Sequence, residues 1–229
     1  MSAATQIPLD LPFRPAMAAA DFLVDTSNAE AVAWIDRWPA WPVPALVVHG
    51  PPGSGKSHLV QVWRARSHAV VVSGAALTVE DVPDIVGSDW AVAVEDADAV
   101  AGLPHRERAL LHLHNLARER RASLLLSARR PAARWGVTLP DLSSRLLALP
   151  SAGMARPSDT LLAALLAKLC ADRRIDVADG VLPYLGGRLE RTADAARRVV
   201  AALDRESLAA RRPVTVALAR AVMRQLEGD

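Results

Sequence analysis

The sequence contains little cysteine and no long apolar run. One cysteine, Cys170, occurs among 229 residues, which excludes an internal disulfide framework and suits a reducing compartment. Nowhere do 18 apolar residues follow one another, and the opening MSAATQIPLDLPF lacks the basic segment and apolar stretch of a signal peptide. We therefore expect a cytoplasmic protein with no membrane partner.

Net charge is also small. The chain carries 27 basic and 25 acidic residues, a formal charge of +2, which does not by itself indicate a nucleic-acid surface. The basic run RERR at residues 118–121 ends a helical pattern, where cations favour the negative end of the helix dipole. A DNA-facing patch is the alternative reading of that run. We expect DNA to be approached only indirectly.

Short apolar runs alternate with segments of helical period over the first two thirds of the chain. The runs are ALVVH at 45, AVVVS at 69, AVAVED at 91, SLLLSA at 123 and LLALP at 146. Such runs, separated by helices, are typical of a parallel sheet buried on both faces. After Ser158 only helical patterns remain. The predicted units are an extended arm (1–20), an α/β core with five parallel strands (21–155) and a small all-helical domain (156–229).

A phosphate-binding motif follows the first apolar run. Gly50, Gly55, Lys56 and Ser57 satisfy G-x-x-x-x-G-K-[ST], in which glycines turn backbone amides toward phosphate oxygens and the lysine neutralises the outer phosphates. A strand-like run precedes the motif and a helix-like run follows it, as the motif requires. The alternative is a coincidental glycine turn. The predicted phosphate ligands are Pro52, Gly53, Ser54, Gly55, Lys56, Ser57 and His58.

Acidic and polar residues end two later runs. Glu95 and Asp96 follow AVAV, where open α/β sheets bind ligands, and with Ser57 they form the predicted Mg²⁺ site. The usual order is aspartate at the metal and glutamate at the attacking water; here the order is reversed, and catalytic geometry tolerates little displacement. Two solvated acids are the alternative. Ser127 either senses the γ-phosphate or merely ends its strand.

The order of these features resembles that of the AAA+ ATPases, and more narrowly of the replication-initiator DnaA branch. The resemblance rests on the phosphate loop, the acidic strand end, Ser127, Arg145 in LPDLSSRL, Arg191 in GRLERTADAA and the segment DFLVDTSNAEAVAWI. It implies an AAA+ core followed by a helical lid. It also implies an adenine pocket formed by Phe22, Leu23, Val24 and Asn28, for which core packing is the alternative for Phe22 and Val24.

The same resemblance implies roles for two arginines. Arg145 matches the arginine finger that reaches into a neighbour's nucleotide site and stabilises charge on the transferred phosphoryl group. Arg191 matches the lid arginine that senses bound phosphates. Arg129 stands where the initiator commonly has aspartate, which, with the reversed Glu95 and Asp96, puts the chain's own ATPase activity in doubt. The bound cofactor would be ADP or ATP with Mg²⁺.

Within this branch the chain resembles the short regulatory homologues that inactivate the initiator, in their alphaproteobacterial form. The initiator would continue into a DNA-reading domain after the lid, whereas this sequence ends at Asp229. QIPLDL is similar to the peptide with which such regulators bind the DNA polymerase sliding clamp, through Gln6, Ile7, Leu9 and Leu11. A strand packed on its own domain is the alternative for that peptide.

The resemblance thus implies an ADP-bound negative regulator of replication initiation. With the DNA-loaded clamp (beta subunit), it would stimulate ATP hydrolysis by the initiator DnaA. A homodimer is among the expected states, because AAA+ surfaces commonly self-associate. One alternative is a helicase loader that turns over its own ATP and grips single-stranded DNA. Another is a small-molecule kinase, which would need a lid inserted between core strands.

Overall fold

A computed structural model describes residues 22–87, 90–210 and 213–228. They divide into two compact units, which are considered separately. The first unit, Thr26–Arg156, is an α/β domain. The second contains residues 22–25 together with the helices that follow residue 157. Within the described ranges, no helix is long and apolar enough to cross a membrane.

The α/β unit is built on a sheet of five parallel strands in the order β2-β3-β4-β1-β5. The strands are β1 (Ala45–His49), β2 (Val70–Ser73), β3 (Ala91–Glu95), β4 (Ser123–Ala128) and β5 (Ser151–Gly153). The helices are α1 (Ala29–Arg37), α2 (Lys56–Ser67), α3 (Val82–Val86), α4 (Pro104–Glu119) and α5 (Pro140–Leu147). This arrangement confirms the predicted fold class.

Continuous apolar strands form this sheet because both of its faces are covered. β1 and β3 are buried over their first four residues, and β4 is buried from Leu124 onward. Leu110 and Leu113 of α4 pack with Val92 and Leu124 in the main core cluster. β1 lies between β4 and β5, in register Val47 opposite Leu126 and Val48 opposite Ala152. The last residue of β1, which precedes the phosphate loop, is therefore paired with a strand on each side.

The last predicted strand was placed too early in the sequence. LLALP, residues 146–150, contains the end of α5 and a turn, and β5 begins directly afterwards at Ser151. Leu142, Leu146 and Leu149 are spaced by four and three residues and are buried in the core cluster, as on one helical face. A short apolar run at the end of a helix cannot be distinguished from a strand by its composition.

The second unit is a bundle with its own apolar core. Its helices are α6 (Asp159–Asp172), α7 (Val181–Gly186), α8 (Ala193–Ala210) and α9 (Val216–Gly228). Leu162 and Leu166 of α6 pack with Val199 and Leu203 of α8, as their helical spacing predicts. Ser158 caps α6, since its hydroxyl accepts a hydrogen bond from the Leu161 amide (3.0 Å) and donates one to Asp25. The Asp25 contact ties the segment before α1 to this bundle.

Candidate nucleotide site

The phosphate loop joins β1 to α2, and two of its turns need glycine. Gly53 and Gly55 have φ of +77° and +97°, a region that side chains rarely adopt. Gly50 has no room for a side chain, because an added Cβ would lie 2.1 Å from the Met154 carbonyl oxygen. The Gly50 amide donates to the Ala128 carbonyl at the end of β4 (3.1 Å). The loop is therefore fixed between the ends of neighbouring strands.

Lys56 is the buried cation of this loop. Its side chain is only 9% exposed, and its Nζ donates to the carbonyls of Gly50 (2.8 Å) and Pro51 (3.0 Å). Burial lowers the pKa of Lys56, while the charges of Asp96 and Asp98 act in the opposite direction. Those carboxylates favour a charged lysine at the loop. The ammonium group is thus held where it could neutralise phosphate oxygens.

The other predicted loop residues differ in exposure. Ser57, in the first turn of α2, is exposed, as is Pro52, whereas His58 is partly buried. Ser54 is 5% exposed, and its Oγ is a buried atom without a hydrogen-bond partner among the described residues. Together with the glycine turns and Lys56, this chemistry fits a bound phosphate group.

Three acidic residues lie at the carboxyl end of β3. Glu95 ends the strand, and its Oε1 is buried without a hydrogen-bond partner among the described residues. Asp96 adopts left-handed backbone angles (φ 48°, ψ 47°), and Gly74 packs closely on it, since an added Cβ would lie 2.6 Å from the Asp96 carbonyl oxygen. Asp98 accepts a hydrogen bond from the Arg129 amide (3.1 Å). The negative charges of Asp96 and Asp98 both raise the pKa of Lys56.

Asp98 was not predicted as a site residue. The only sequence signal was its place two residues after Asp96 in EDAD, where the chain forms a short 3-10 turn. The predicted metal ligands were Ser57, Glu95 and Asp96. No cluster of three or more His, Cys, Asp or Glu suited to a metal ion occurs in the described part of the chain. Oxygen ligands for Mg²⁺ would come from Ser57 and the acidic strand end together with phosphate.

Ser127 and Arg129 end the neighbouring strand. Ser127 is 2% exposed, and its hydroxyl oxygen accepts a hydrogen bond from the Asp96 amide (3.3 Å). That bond joins the ends of β3 and β4, so Ser127 helps to shape the acidic turn. Arg129 is exposed, and its positive charge lowers the pKa of Lys56. A sensor role for Ser127 stays a prediction.

Arg145 lies near the amino ends of the strands, whereas the phosphate loop follows the carboxyl end of β1. It is in the last turn of α5, partly buried, and it lines a cleft with the first residue of β1, Ala45. The loop follows the other end of β1. A trans-acting finger requires a side chain that does not serve its own nucleotide site, and this position satisfies that condition.

Arg191 belongs to the helical unit and forms an ion pair there. Its Nη2 lies 2.8 Å from Oδ1 and 2.9 Å from Oδ2 of Asp159, the first residue of α6. Both side chains are exposed, at 56% and 71%. Thr192 follows, and its Oγ1 accepts a hydrogen bond from the Ala195 amide (3.1 Å) at the start of α8. A phosphate bound by Arg191 would have to compete with Asp159.

The predicted adenine pocket and clamp peptide are only partly described. Phe22 is buried and Leu23 and Val24 are partly buried in the second unit, whereas Asn28 is buried (3% exposed) just before α1 in the first. The adenine pocket stays a prediction. The clamp residues Gln6, Ile7, Leu9 and Leu11 lie outside the described residues.

Comparisons with known proteins give similarities for the helical unit and for the fold. Residues 159–223 match the model of the lid domain of Hda. No curated protein matches the sequence. The fold is similar to domain III of the replication initiation protein DnaA from Thermotoga maritima, at a TM-score of 0.75 and 16% identity over 93% of this chain and 98% of that one.

Two other solved structures share the fold. AMPPCP-bound DnaA from Aquifex aeolicus matches at a TM-score of 0.66 and 16% identity, over 79% of this chain and 62% of that one. The RuvB Holliday junction branch migration motor from Thermotoga maritima matches at 0.68 and 16% identity, over 87% and 67%. At these identities the similarity establishes the fold alone.

Proposed function

We propose that this chain, whose fold is similar to that of domain III of DnaA and whose residues 159–223 match the model of the Hda lid domain, is a negative regulator of replication initiation. In this proposal it holds ADP and, with the DNA-loaded sliding clamp, stimulates ATP hydrolysis by the initiator DnaA. The lid match over residues 159–223 is the observation that carries the proposal. The clamp contact rests on the sequence of the QIPLDL peptide.

Nucleotide binding is supported by the phosphate loop. The glycine turns, the buried Lys56 and the unpartnered Ser54 Oγ make an anion cradle at the N-terminus of α2. AMPPCP is bound by the similar DnaA of Aquifex aeolicus. Mg²⁺, when bound, would supply charge neutralisation between phosphates, with Ser57 and the acidic strand end as its protein ligands.

Weak hydrolysis by the chain itself is supported by the acidic turn. One oxygen of Glu95 is buried, and the carboxylates that act on Lys56 are the shorter Asp96 and Asp98. An aspartate reaches one methylene less far than the glutamate that usually orients the attacking water, and small displacements of that kind reduce catalysis strongly. The bound nucleotide would then serve mainly as a structural and regulatory ligand.

Hydrolysis in the partner is assigned to Arg145. Arg145 has no ion-pair partner among the residues that the structure describes, and it lies away from the chain's own phosphate loop. Supplied in trans, an arginine stabilises the charge of a phosphoryl-transfer transition state and accelerates hydrolysis by about 10³-fold or more. Arg145 is thus the proposed finger toward ATP-bound DnaA.

The test measures phosphate release from ATP-bound DnaA in the presence of DNA-loaded clamp. Wild-type chain should accelerate release, and Arg145→Ala should not. Arg108→Ala is the matched control, because Arg108 is an exposed arginine of the same core that does not line the Arg145 cleft. Equal stimulation by wild type and Arg145→Ala would remove the finger assignment. No stimulation by wild type would remove the proposed function.

The second candidate is a helicase loader with its own ATP turnover. A complete phosphate loop, with two aspartates whose charges raise the pKa of its lysine, favours this candidate. It predicts ATP hydrolysis by the chain alone, increased by single-stranded DNA and unaffected by Gln6→Ala. The same assay without DnaA separates the two functions, since a regulator would show little turnover there.

A further inference from the structure

A cleft in the α/β unit lies away from the phosphate loop. Its volume is about 390 Å³, within the range of small-molecule sites. Ala45 and Leu124, at the starts of β1 and β4, form part of its wall. The phosphate loop follows the other end of β1, so the cleft is a separate site on the same sheet.

The wall of the cleft is mostly apolar. Pro42, Val43 and Pro44 from the segment before β1 face Ala117 of α4 and Leu149 after α5. Val43 is 39% exposed, so part of its side chain is accessible to a molecule in the cleft. An apolar body of modest size would gain burial here.

The polar groups of the cleft are all cationic or neutral. Arg118, Arg145 and His114 line it, and none of its lining residues is acidic. Neither arginine has an ion-pair partner within the described ranges. Two unpaired guanidinium groups beside an apolar wall favour an anion, and a carboxylate matches their planar geometry.

His114 adds a second, independent observation. Its Nδ1 is buried and has no hydrogen-bond partner among the described residues. A buried ring nitrogen without a protein partner is uncommon in folded proteins, and an ordered water or another polar group would satisfy it. Burial lowers the pKa of His114, and the charges of Arg145 and Arg118 lower it further, while an interaction with the Asn115 side chain raises it.

We propose that this cleft binds a small organic carboxylate, with its apolar body against Pro42, Val43 and Leu149 and its carboxylate between Arg118 and Arg145. The His114 imidazole, which lines the cleft, would lie beside the bound ligand. A bound carboxylate would also offset the two positive charges beside the ring. The site needs neither nucleotide nor a partner protein, but it shares Arg145 with the proposed finger.

The experiment uses 4-phenylbutyrate as the probe and the full chain labelled with ¹⁵N-histidine. Imidazole nitrogen resonances are followed by NMR, and the His114 signals are assigned with His114→Gln. 4-Phenylbutyrate should shift the His114 signals saturably, and 4-phenylbutanol should bind at least about tenfold more weakly, because it lacks the charge. Arg118→Gln should weaken phenylbutyrate binding about tenfold.

Arg108→Gln is the matched control, since Arg108 lies on the same helix α4 and does not line the cleft. Equal affinity for the acid and the alcohol would overturn the proposal. So would binding without movement of the His114 signals, or equal loss of affinity in Arg118→Gln and Arg108→Gln. If an amidated Leu-Asp-Phe peptide binds and phenylbutyrate does not, the cleft is a peptide site and the proposal fails.

These outcomes are independent of the DnaA assay. Arg145 enters both proposals, so Arg118→Gln is the decisive variant for the cleft. Failure of phenylbutyrate binding would leave the stimulation of DnaA by wild type and its loss in Arg145→Ala unchanged. Failure of the stimulation would leave the phenylbutyrate titration unchanged.

Discussion

Replacing Glu107 should destabilise the α/β unit more than any other conservative change to an acidic residue in α4. The Glu107 side chain is fully buried. Its carboxylate accepts hydrogen bonds from the amides of Gly102 (2.8 Å), Thr138 (3.0 Å) and Leu139 (2.8 Å), and from the Thr138 hydroxyl (2.8 Å). The acceptor thus fastens α4 to the segment that starts α5.

The size of the effect follows from counting donors. In Glu107→Gln one acceptor oxygen becomes a donor, so about two of the four donors lose their acceptor. Each hydrogen bond to a charged group contributes about 1.5–3 kcal/mol, and the loss is greatest where the remaining group is buried. We expect the free energy of unfolding to fall by about 3–5 kcal/mol, a large part of the stability of a typical domain.

The assay is urea unfolding followed by tryptophan fluorescence. All six tryptophans lie in the sequence of the α/β unit, at residues 34, 38, 41, 63, 90 and 135, so the signal reports on that unit alone. Glu119→Gln is the control, because Glu119 is exposed on the same helix and its replacement should cost less than about 0.5 kcal/mol. A loss in Glu107→Gln no larger than in the control would refute the reasoning.

The pH dependence gives a second check. Burial alone would raise the pKa of Glu107, but the hydrogen bonds from Thr138, Gly102 and Leu139 outweigh it and lower the pKa from 4.5. Because the pKa of Glu107 is lower in the folded protein, its ionised carboxylate stabilises the fold fully above about pH 4.5, the ordinary pKa of the group. That stabilisation is lost as the pH falls through the pKa of the folded state. The stability difference between wild type and Glu107→Gln should therefore shrink below pH 4.5.

Three further outcomes are expected. Lys56→Ala should weaken binding of a fluorescent ADP analogue by about 100-fold, because the cation of the loop is lost. Lys168→Ala is the control and should leave binding unchanged. Similar affinities of the two variants would contradict the assigned site. Gly50→Ala should lower the free energy of unfolding, measured with urea, by about 3 kcal/mol, because an added Cβ would meet a backbone oxygen at 2.1 Å. Gly153→Ala should lower it less, because the added Cβ would meet only a side-chain atom, at 3.4 Å. Asp159→Asn should change stability by less than about 1 kcal/mol and strengthen ADP binding by releasing Arg191, and weaker ADP binding would count against the lid role of Arg191.

The sequence predicts the core strands well where burial is continuous. ALVVH, AVAV and SLLLSA became β1, β3 and β4, because strands covered on both faces are apolar at every position. The prediction of a strand at LLALP was wrong, because an apolar helix end has the same composition over five residues as a buried strand. The position of β1 between β4 and β5 depends on long-range pairing, for which no short segment carries a signal.

For the functional residues, too, local motifs could be predicted and long-range contacts could not. Gly50, Gly55, Lys56 and Ser57 form a local motif, and its residues are adjacent because their spacing requires it. Glu107 and His114 were missed, because each looks like a polar residue on an ordinary amphipathic helix. The partners of Glu107 at Thr138 and Leu139 lie about thirty residues away in sequence, and burial depends on that distant segment.

The close approach of Gly50 to Met154 couples the phosphate loop to the end of the α/β unit. The Met154 amide donates to the His49 carbonyl (2.7 Å), and the Met154 methyl would be 3.6 Å from a Cβ on Gly55. The chain leaves this unit two residues later, at Arg156. A displacement of the loop at Gly50 would therefore be transmitted to Met154, because the contact there is between backbone atoms, which cannot yield as a flexible side chain can.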